Sequence, residues 1–175
     1  MDSLISEFKS RLRNGNGNHL YLNITLDELE MLGGAKKIVK FATGISRGNL
    51  SISVLKSGTI NFVHVTTPNK IEAIKESGLI SITEGMYALG KGIYLADRMD
   101  LFSFTNLQMW VATHVSNLEL SVVFGRFDGI YTKCIYPSNR QGFIVVSQTI
   151  HPQCFTKIEP SVNREEFLNR RLQDL

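Results

Sequence analysis

Only two cysteines occur in the 175 residues, and they stand twenty positions apart, at 134 and 154. No pair has zinc-ligand spacing, so no metal is expected and both read as reduced thiols in or near a core. No stretch approaches the ~20 consecutive apolar residues of a bilayer span, so no membrane partner is expected. Charge of one sign is never concentrated. The net charge of +3 comes without a dense Lys/Arg run, which admits an anionic ligand or nucleic acid without arguing for one. The opening "MDSLISEFKSRLRNG" is amphipathic and charged, unlike a signal peptide, so a cytoplasmic protein is expected. Internal repeats and low-complexity tracts are lacking too. One absence is local: no Asp or Glu lies between Asp128 and Glu159.

What is present suits one folded domain. Hydrophobic residues at 43% and charged residues at 20% are ordinary for a globular chain of this length. A helical portion leads, over residues 1–48. Ser3 caps Leu4 to Leu12, with Leu4, Ile5, Phe8 and Leu12 on one face, and Thr25 caps "LDELEMLGGAKKIVKFATG". From Asn49 the period shortens. "NLSISVLKSG" and "TINFVHVTT" alternate as two strands joined by a Ser-Gly turn. "PNKIEAIKESGL" reads as a short helix stopped by Gly78, and "RMDLFSFTNLQMWVATHV" as a longer one whose Met109, Trp110 and phenylalanines belong to a core. Four strands follow: "LELSVVFG", "GIYTKCIYP", "QGFIVVSQTI" and "CFTKIEP". A solvated helix over about 163–174 closes the chain. The core spans residues 49–160, the C-terminal helix lies within 161–175, and the order is α+β rather than alternating βαβ.

Two stretches invite chemistry. His64 follows a strand-like run and precedes a helix by a few residues; such a histidine usually serves structure, its nitrogens merely satisfied. "GMYALGKGIYLAD", residues 85–97, concentrates glycine in front of a short strand carrying Tyr94. Glycine lets backbone approach a ligand closely, yet a plain loop explains the stretch as well. It is neither a Walker A loop nor a dinucleotide fingerprint. His114 reads as a core or edge residue on its helix.

Taken together, "HVT" at His64–Thr66, "IKESGL" at Ile74–Leu79 and "GKGIYLAD" at Gly90–Asp97 resemble the ADP-ribosyltransferase catalytic domain of the His-Tyr-Glu branch. That branch includes poly(ADP-ribose) polymerases and diphtheria-like toxins; "HVT" and its helix also look like DarT-type enzymes that modify DNA. The likeness runs from about Asn61 to Ile158. It implies a split, mostly antiparallel two-sheet core with NAD, as substrate, in the cleft. His64 would hold the adenosine-side ribose, the Val65 backbone the nicotinamide amide, and Tyr94 would stack on the nicotinamide ring. Thr66 and Gly92 would line the site. A second aromatic is expected near Thr105, where Phe102 and Phe104 are the nearest candidates. The branch's glutamate falls on Gly142, preceded by Gln141. A carboxylate there stabilises positive charge developing at the ribose carbon. In its place, Gln141 could grip the ribose hydroxyl through its amide, Glu84 or Asp128 could supply an acid, or the chain could bind NAD without turning it over. The resemblance therefore implies transfer of a single ADP-ribose to a protein or nucleic-acid acceptor, without elongation, or a non-catalytic binding module. A toxin, a phage-conflict effector and a regulator would share these residues.

Overall fold

Glycines expected to end strands instead let two of them run on. The computed structural model describes residues 6–7, 10, 13–14, 20–25, 28, 31, 50–80, 92–136 and 141–175. Its strands are β1 (Arg13–Asn14), β2 (Leu20–Thr25), β3 (Leu50–Thr66), β4 (Ile93–Asp97), β5 (Glu119–Tyr136), β6 (Gln141–Val146) and β7 (Phe155–Asn163). Its helices are α1 (Ile71–Ser77), α2 (Leu101–His114) and α3 (Arg164–Leu168). The chain is α+β, with a mostly antiparallel sheet in the order β1-β2-β3-β4-β6-β5-β7.

Strands β3 and β5 correct the sequence reading. Ser57-Gly58 and Asp128-Gly129 look like turns, but each lies inside one continuous strand, and Gly58 faces Gly129 across the ladder. Both adopt positive φ, 151° and 159°, which side chains rarely tolerate. The glycines thus accommodate the paired strands' unusual backbone without ending either one.

β3 and β5 also pair directly, and this closes a ring. Val54 opposes Lys133, Lys133 opposes Ile144, and Ile144 opposes Leu95. Extending the β3–β4 register from Val63–Ala96 places Leu95 beside His64. The path returns to β3 at position 64 instead of 54, so the four strands β3, β4, β6 and β5 are strongly sheared and steeply tilted. β2 lies along the first half of β3, and β7 along the first half of β5.

Alternation on the ring strands makes two cores. Ile60, Phe62, Ile93, Val123, Phe127 and Ile144 share one cluster, joined by Ile71 of α1 and Leu79. Val63, Val65, Leu120, Val122 and Phe124 share the other with Phe104 and Val111 of α2 and Phe167 of α3.

The expected N-terminal helical portion is only partly described. Ser6, Glu7, Ser10, Glu28 and Met31 are helical, but Arg13–Asn14 and Leu20–Thr25 are strands. β2 runs parallel to β3, and a parallel neighbour needs a long crossover, supplied here by residues 26–49. The helix expected over 163–174 is shorter: α3 ends at Leu168, and a 3₁₀ turn covers Leu172–Asp174. Nor is it merely a solvated face, because Phe167 is fully buried. On α2, Met109 and Trp110 are 50% and 37% exposed, so the core expectation fails for both. Cys134 is buried and Cys154 half-buried, and both are free thiols. Burial pushes the Cys134 thiol up to about 12.

A bidentate ion pair ties the segment just after α3 to β7. Arg170 donates from Nη1 and Nη2 to Oε1 and Oε2 of Glu159 at 2.8 and 2.6 Å, and from Nε to Glu166 at 2.8 Å. These hydrogen bonds hold the Glu159 carboxyl below the usual carboxylate range. The Glu159 and Arg170 side chains are 18% and 12% exposed, so solvent screens the pair little. Glu159→Gln is expected to lower unfolding free energy by about 1.5–3 kcal/mol near neutral pH. A depressed native pKa contributes stability that is complete above the unfolded-state value of 4.5 and disappears as pH falls through the native value. Denaturant titrations of the two proteins should therefore converge below pH 4.5; a constant gap would assign the loss to packing.

Candidate functional site

β3 and β4 are laddered only at Phe62–Asp97 and Val63–Ala96. Beyond that point β4 pairs with β6, through Tyr94–Val145 and Ile93–Val146. β3 continues with β5, through Val65–Val122 and Thr66–Ser121. His64 stands where the β3–β4 ladder ends. Its Nδ1 lies 3.0 Å from the Tyr94 carbonyl oxygen. A carbonyl only accepts, so Nδ1 carries the proton and neutral Nε2 is an acceptor. The residue is half-buried, but its imidazole is desolvated, and this lowers its pKa. The bond to Tyr94 raises the pKa by a smaller amount, and the nearby Lys70 charge lowers it further. The ring is thus a neutral, oriented acceptor.

The residues of "GKGIYLAD" separate by role. Gly90 and Lys91, with Glu84, lie outside the described residues. A Cβ on Gly92 would run into Val145 Cγ1, so this glycine answers first to packing against β6. Ile93 and Leu95 fill the ring core, and Ala96 the second core. Asp97 ends the strand: its Oδ1 accepts from the Met99 amide at 2.9 Å, and its own amide donates to Ser103 Oγ at 2.8 Å. Tyr94 stands on the same strand, between Ile93 and Leu95. It is half-buried, with its ring 5.4 Å from that of Phe143 at an interplanar angle of 34°. Phe143 is the aromatic that the sequence reading missed. It immediately follows Gly142, and only the β4–β6 pairing brings it to Tyr94.

The structure brings His64, Val65, Thr66, Gly92 and Tyr94 to the parting of β3 and β4. It does not bring Phe104, which is 1% exposed and packs edge-on against Phe167 with centroids 6.1 Å apart. That aromatic has no face for a ligand because α3 covers it. The Phe102 backbone lies in α2, and its side chain is outside the described set. Gln141 opposes Tyr136 on β5, and its side chain is likewise outside that set. It lies four positions from Val145, the partner of Tyr94, or about 13 Å along β6. Asp128 is exposed and opposes Thr59, five positions from His64 and about 17 Å along β3. Asp128 and Gln141 thus lie at comparable distances along their strands from the His64–Tyr94 pair. His114 is exposed and stacks on Trp110 at 5.8 Å, a contact within α2.

Beside the site lies an open depression of about 400 Å³, walled by Thr67, Pro68 and Asn69 on one side and Asn117, Leu118 and Glu119 on the other. Among the described residues no cluster of three metal-ligating side chains occurs, and no helix is long and apolar enough to cross a membrane. No family model matches the chain, and no curated protein or solved structure is significantly similar to it.

Proposed function

We propose that the protein is an NAD-dependent mono-ADP-ribosyltransferase whose substrate cleft is the parting of β3 and β4. The observation carrying this reading is the hydrogen bond from His64 Nδ1 to the Tyr94 carbonyl. It fixes the two residues most specific to the resemblance against each other and leaves Nε2 as an acceptor. A ribose hydroxyl donates to that nitrogen. The Val65 main chain pairs with the nicotinamide carboxamide, for which a valine serves as well as a glycine. The Tyr94 ring, backed by Phe143, receives the flat pyridinium. Thr66 and Gly92 border the same cleft. β3 and β4 share only two paired positions, and the branch's two sheets would part there.

The reaction breaks the bond between ribose C1′ and the pyridinium nitrogen. Its electron pair leaves with nicotinamide, which becomes neutral. The acceptor's lone pair then closes on C1′, and its proton passes to solvent or a base. Gly142 supplies no carboxylate to the cationic centre, so slow, single transfer follows, with the Gln141 amide as the hydroxyl grip. Elongation to a polymer is not expected.

Incubation with NAD labelled on the adenylate side tests this reading. Free nicotinamide should appear together with label on protein or nucleic acid. NAD binding without nicotinamide release would instead establish the second reading, a non-catalytic NAD-binding module, which Gly142 favours. Failure to bind NAD at all would overturn both.

A further inference from the structure

The described helices differ sharply in charge. α1 carries Glu72, Lys75 and Glu76, and α3 carries Arg164, Glu165 and Glu166. α2 is longer than either, at 14 residues, yet holds no Lys, Arg, Asp or Glu. Its core-facing stripe, with Phe104, Leu107 and Val111, explains only part of this. On the outer side Leu101 is 56% exposed, Met109 and Trp110 are half-exposed, and Thr105 and Thr113 are exposed. Leu101, Thr105, Met109 and Thr113 stand four residues apart and form one ridge along the helix. A solvated face normally carries charge. One that lacks it while showing Leu, Met and Trp has the composition of an interface core. Even the Thr113 hydroxyl is satisfied, by the Met109 carbonyl at 2.9 Å, so it can be covered without losing a bond.

Two features say what covers this face. The ridge is complementary to itself. When two copies of α2 pack antiparallel about a two-fold axis level with position 107, Leu101 faces the partner's Thr113 and Met109 faces the partner's Thr105. A large side chain then meets a small one at each step. The flanking charges match in the same arrangement. The chain from α3 onward returns antiparallel beside α2. Arg164 donates to the Ala112 and Val115 carbonyls at one end, Gln108 to the Arg170 carbonyl midway, and Arg98 to the Leu175 carbonyl at the other end. Arg98 and Glu165 are thus both exposed on one flank of α2, at opposite ends. The two-fold axis brings each Arg98 to the partner's Glu165.

We propose that α2 is the interface of a two-fold homodimer, packed antiparallel against α2 of a second copy. Neither His64 nor Tyr94 takes part, so the proposal stands apart from the transfer reading. The helix offers a strip about 21 Å long and 10 Å wide, smaller than the ~800 Å² that each partner of a tight complex buries, so the dimer dissociates on dilution.

Sedimentation equilibrium of the full chain between about 1 and about 200 µM tests this. The mass should rise from 19.7 kDa toward twice that value with concentration. Met109→Lys, which sets two ammonium groups near the axis, should leave a monomer throughout, with an unchanged circular dichroism spectrum. Glu165→Arg, an exposed change, opposes guanidinium groups and should weaken association at least about tenfold; adding Arg98→Glu should return it to within about threefold of wild type. A monomer at the highest concentration overturns the proposal, as does a dimer that persists in Met109→Lys. A dimer that the charge reversals leave unchanged overturns it too. A monomer that binds phosphatidylcholine vesicles through Met109 gives the face to a lipid surface instead.

Discussion

Alanine at position 64 is expected to weaken NAD binding about thirtyfold, or about 2 kcal/mol, with the fold retained. The imidazole makes two contributions that alanine deletes together. Its Nδ1 holds the Tyr94 carbonyl across the gap left by the β3–β4 ladder, and its Nε2 accepts from the ligand. Loss of the first costs the protein about 1 kcal/mol of stability, because a half-buried carbonyl loses its partner. Loss of the second appears only in binding, so the two effects separate experimentally. Denaturant titration reads one and NAD calorimetry the other. His64→Gln keeps a donor and an acceptor on a shorter, differently angled side chain, and should fall between wild type and alanine. The same geometry sets a pH profile. Burial depresses the His64 pKa below its ordinary 6.5, so the neutral acceptor persists throughout the range above 6.5. Between the depressed native value and 6.5 the unfolded chain binds the extra proton. Stability therefore rises with pH across that window and is flat above it. NAD affinity should likewise be level from pH 8 to 6.5 and fall only below. A binding midpoint at or above 6.5, or unchanged affinity in His64→Ala, would remove the histidine from the site.

The local signals in the sequence were the reliable ones. "PNKIEAIKESGL" forms its helix, and Gly78 stops it at φ 85°, where a Cβ would collide with the Ile150 backbone. "IYLAD" is a strand and His64 stands near a strand end, as the alternation on either side requires. What escaped depends on pairing between distant segments. Ser57-Gly58 and Asp128-Gly129 are good turn dipeptides; nothing local shows that each opposes the other across a ladder. The ring closure through β4 and β6 is equally invisible, and with it the meeting of Phe143 with Tyr94. Periodicity also misplaced Met109 and Trp110. An uncharged helix reads as buried all round, whereas α2 has a core on one side only and leaves these two half-exposed. The candidate site was therefore legible as a pair of motifs, while its walls were not.

Gly125→Ala is expected to be strongly destabilising. Gly125 sits where β5 opposes Phe62 of β3 on one side and Phe155 of β7 on the other, next to a register shift in the β5–β7 ladder. An added Cβ would overlap the Phe62 ring and lie 2.6 Å from the Cys154 carbonyl oxygen. Phe62 cannot swing aside cheaply. It is fully buried in the ring core and stands edge-on to Phe155, with centroids 6.4 Å apart. The Cys154 oxygen belongs to backbone and cannot rotate away. Overpacking of this kind costs about 3 kcal/mol, which for a domain of this size lowers the melting temperature by roughly 10 °C. Gly58 is the informative contrast. No atom lies within 4 Å of its Cβ position, so Gly58→Ala meets only the strain of φ 151° and should cost about 1 kcal/mol. A double-mutant cycle assigns the cause at position 125. Phe62→Leu alone opens space in the core and is itself destabilising. Combined with Gly125→Ala it removes part of the clash, so the pair should lose at least about 1 kcal/mol less than the two single losses together. Strict additivity would place the damage on the Cys154 carbonyl and the β5–β7 register rather than on the phenylalanine. In either case the ring that carries His64 and Tyr94 depends on a bare backbone at position 125.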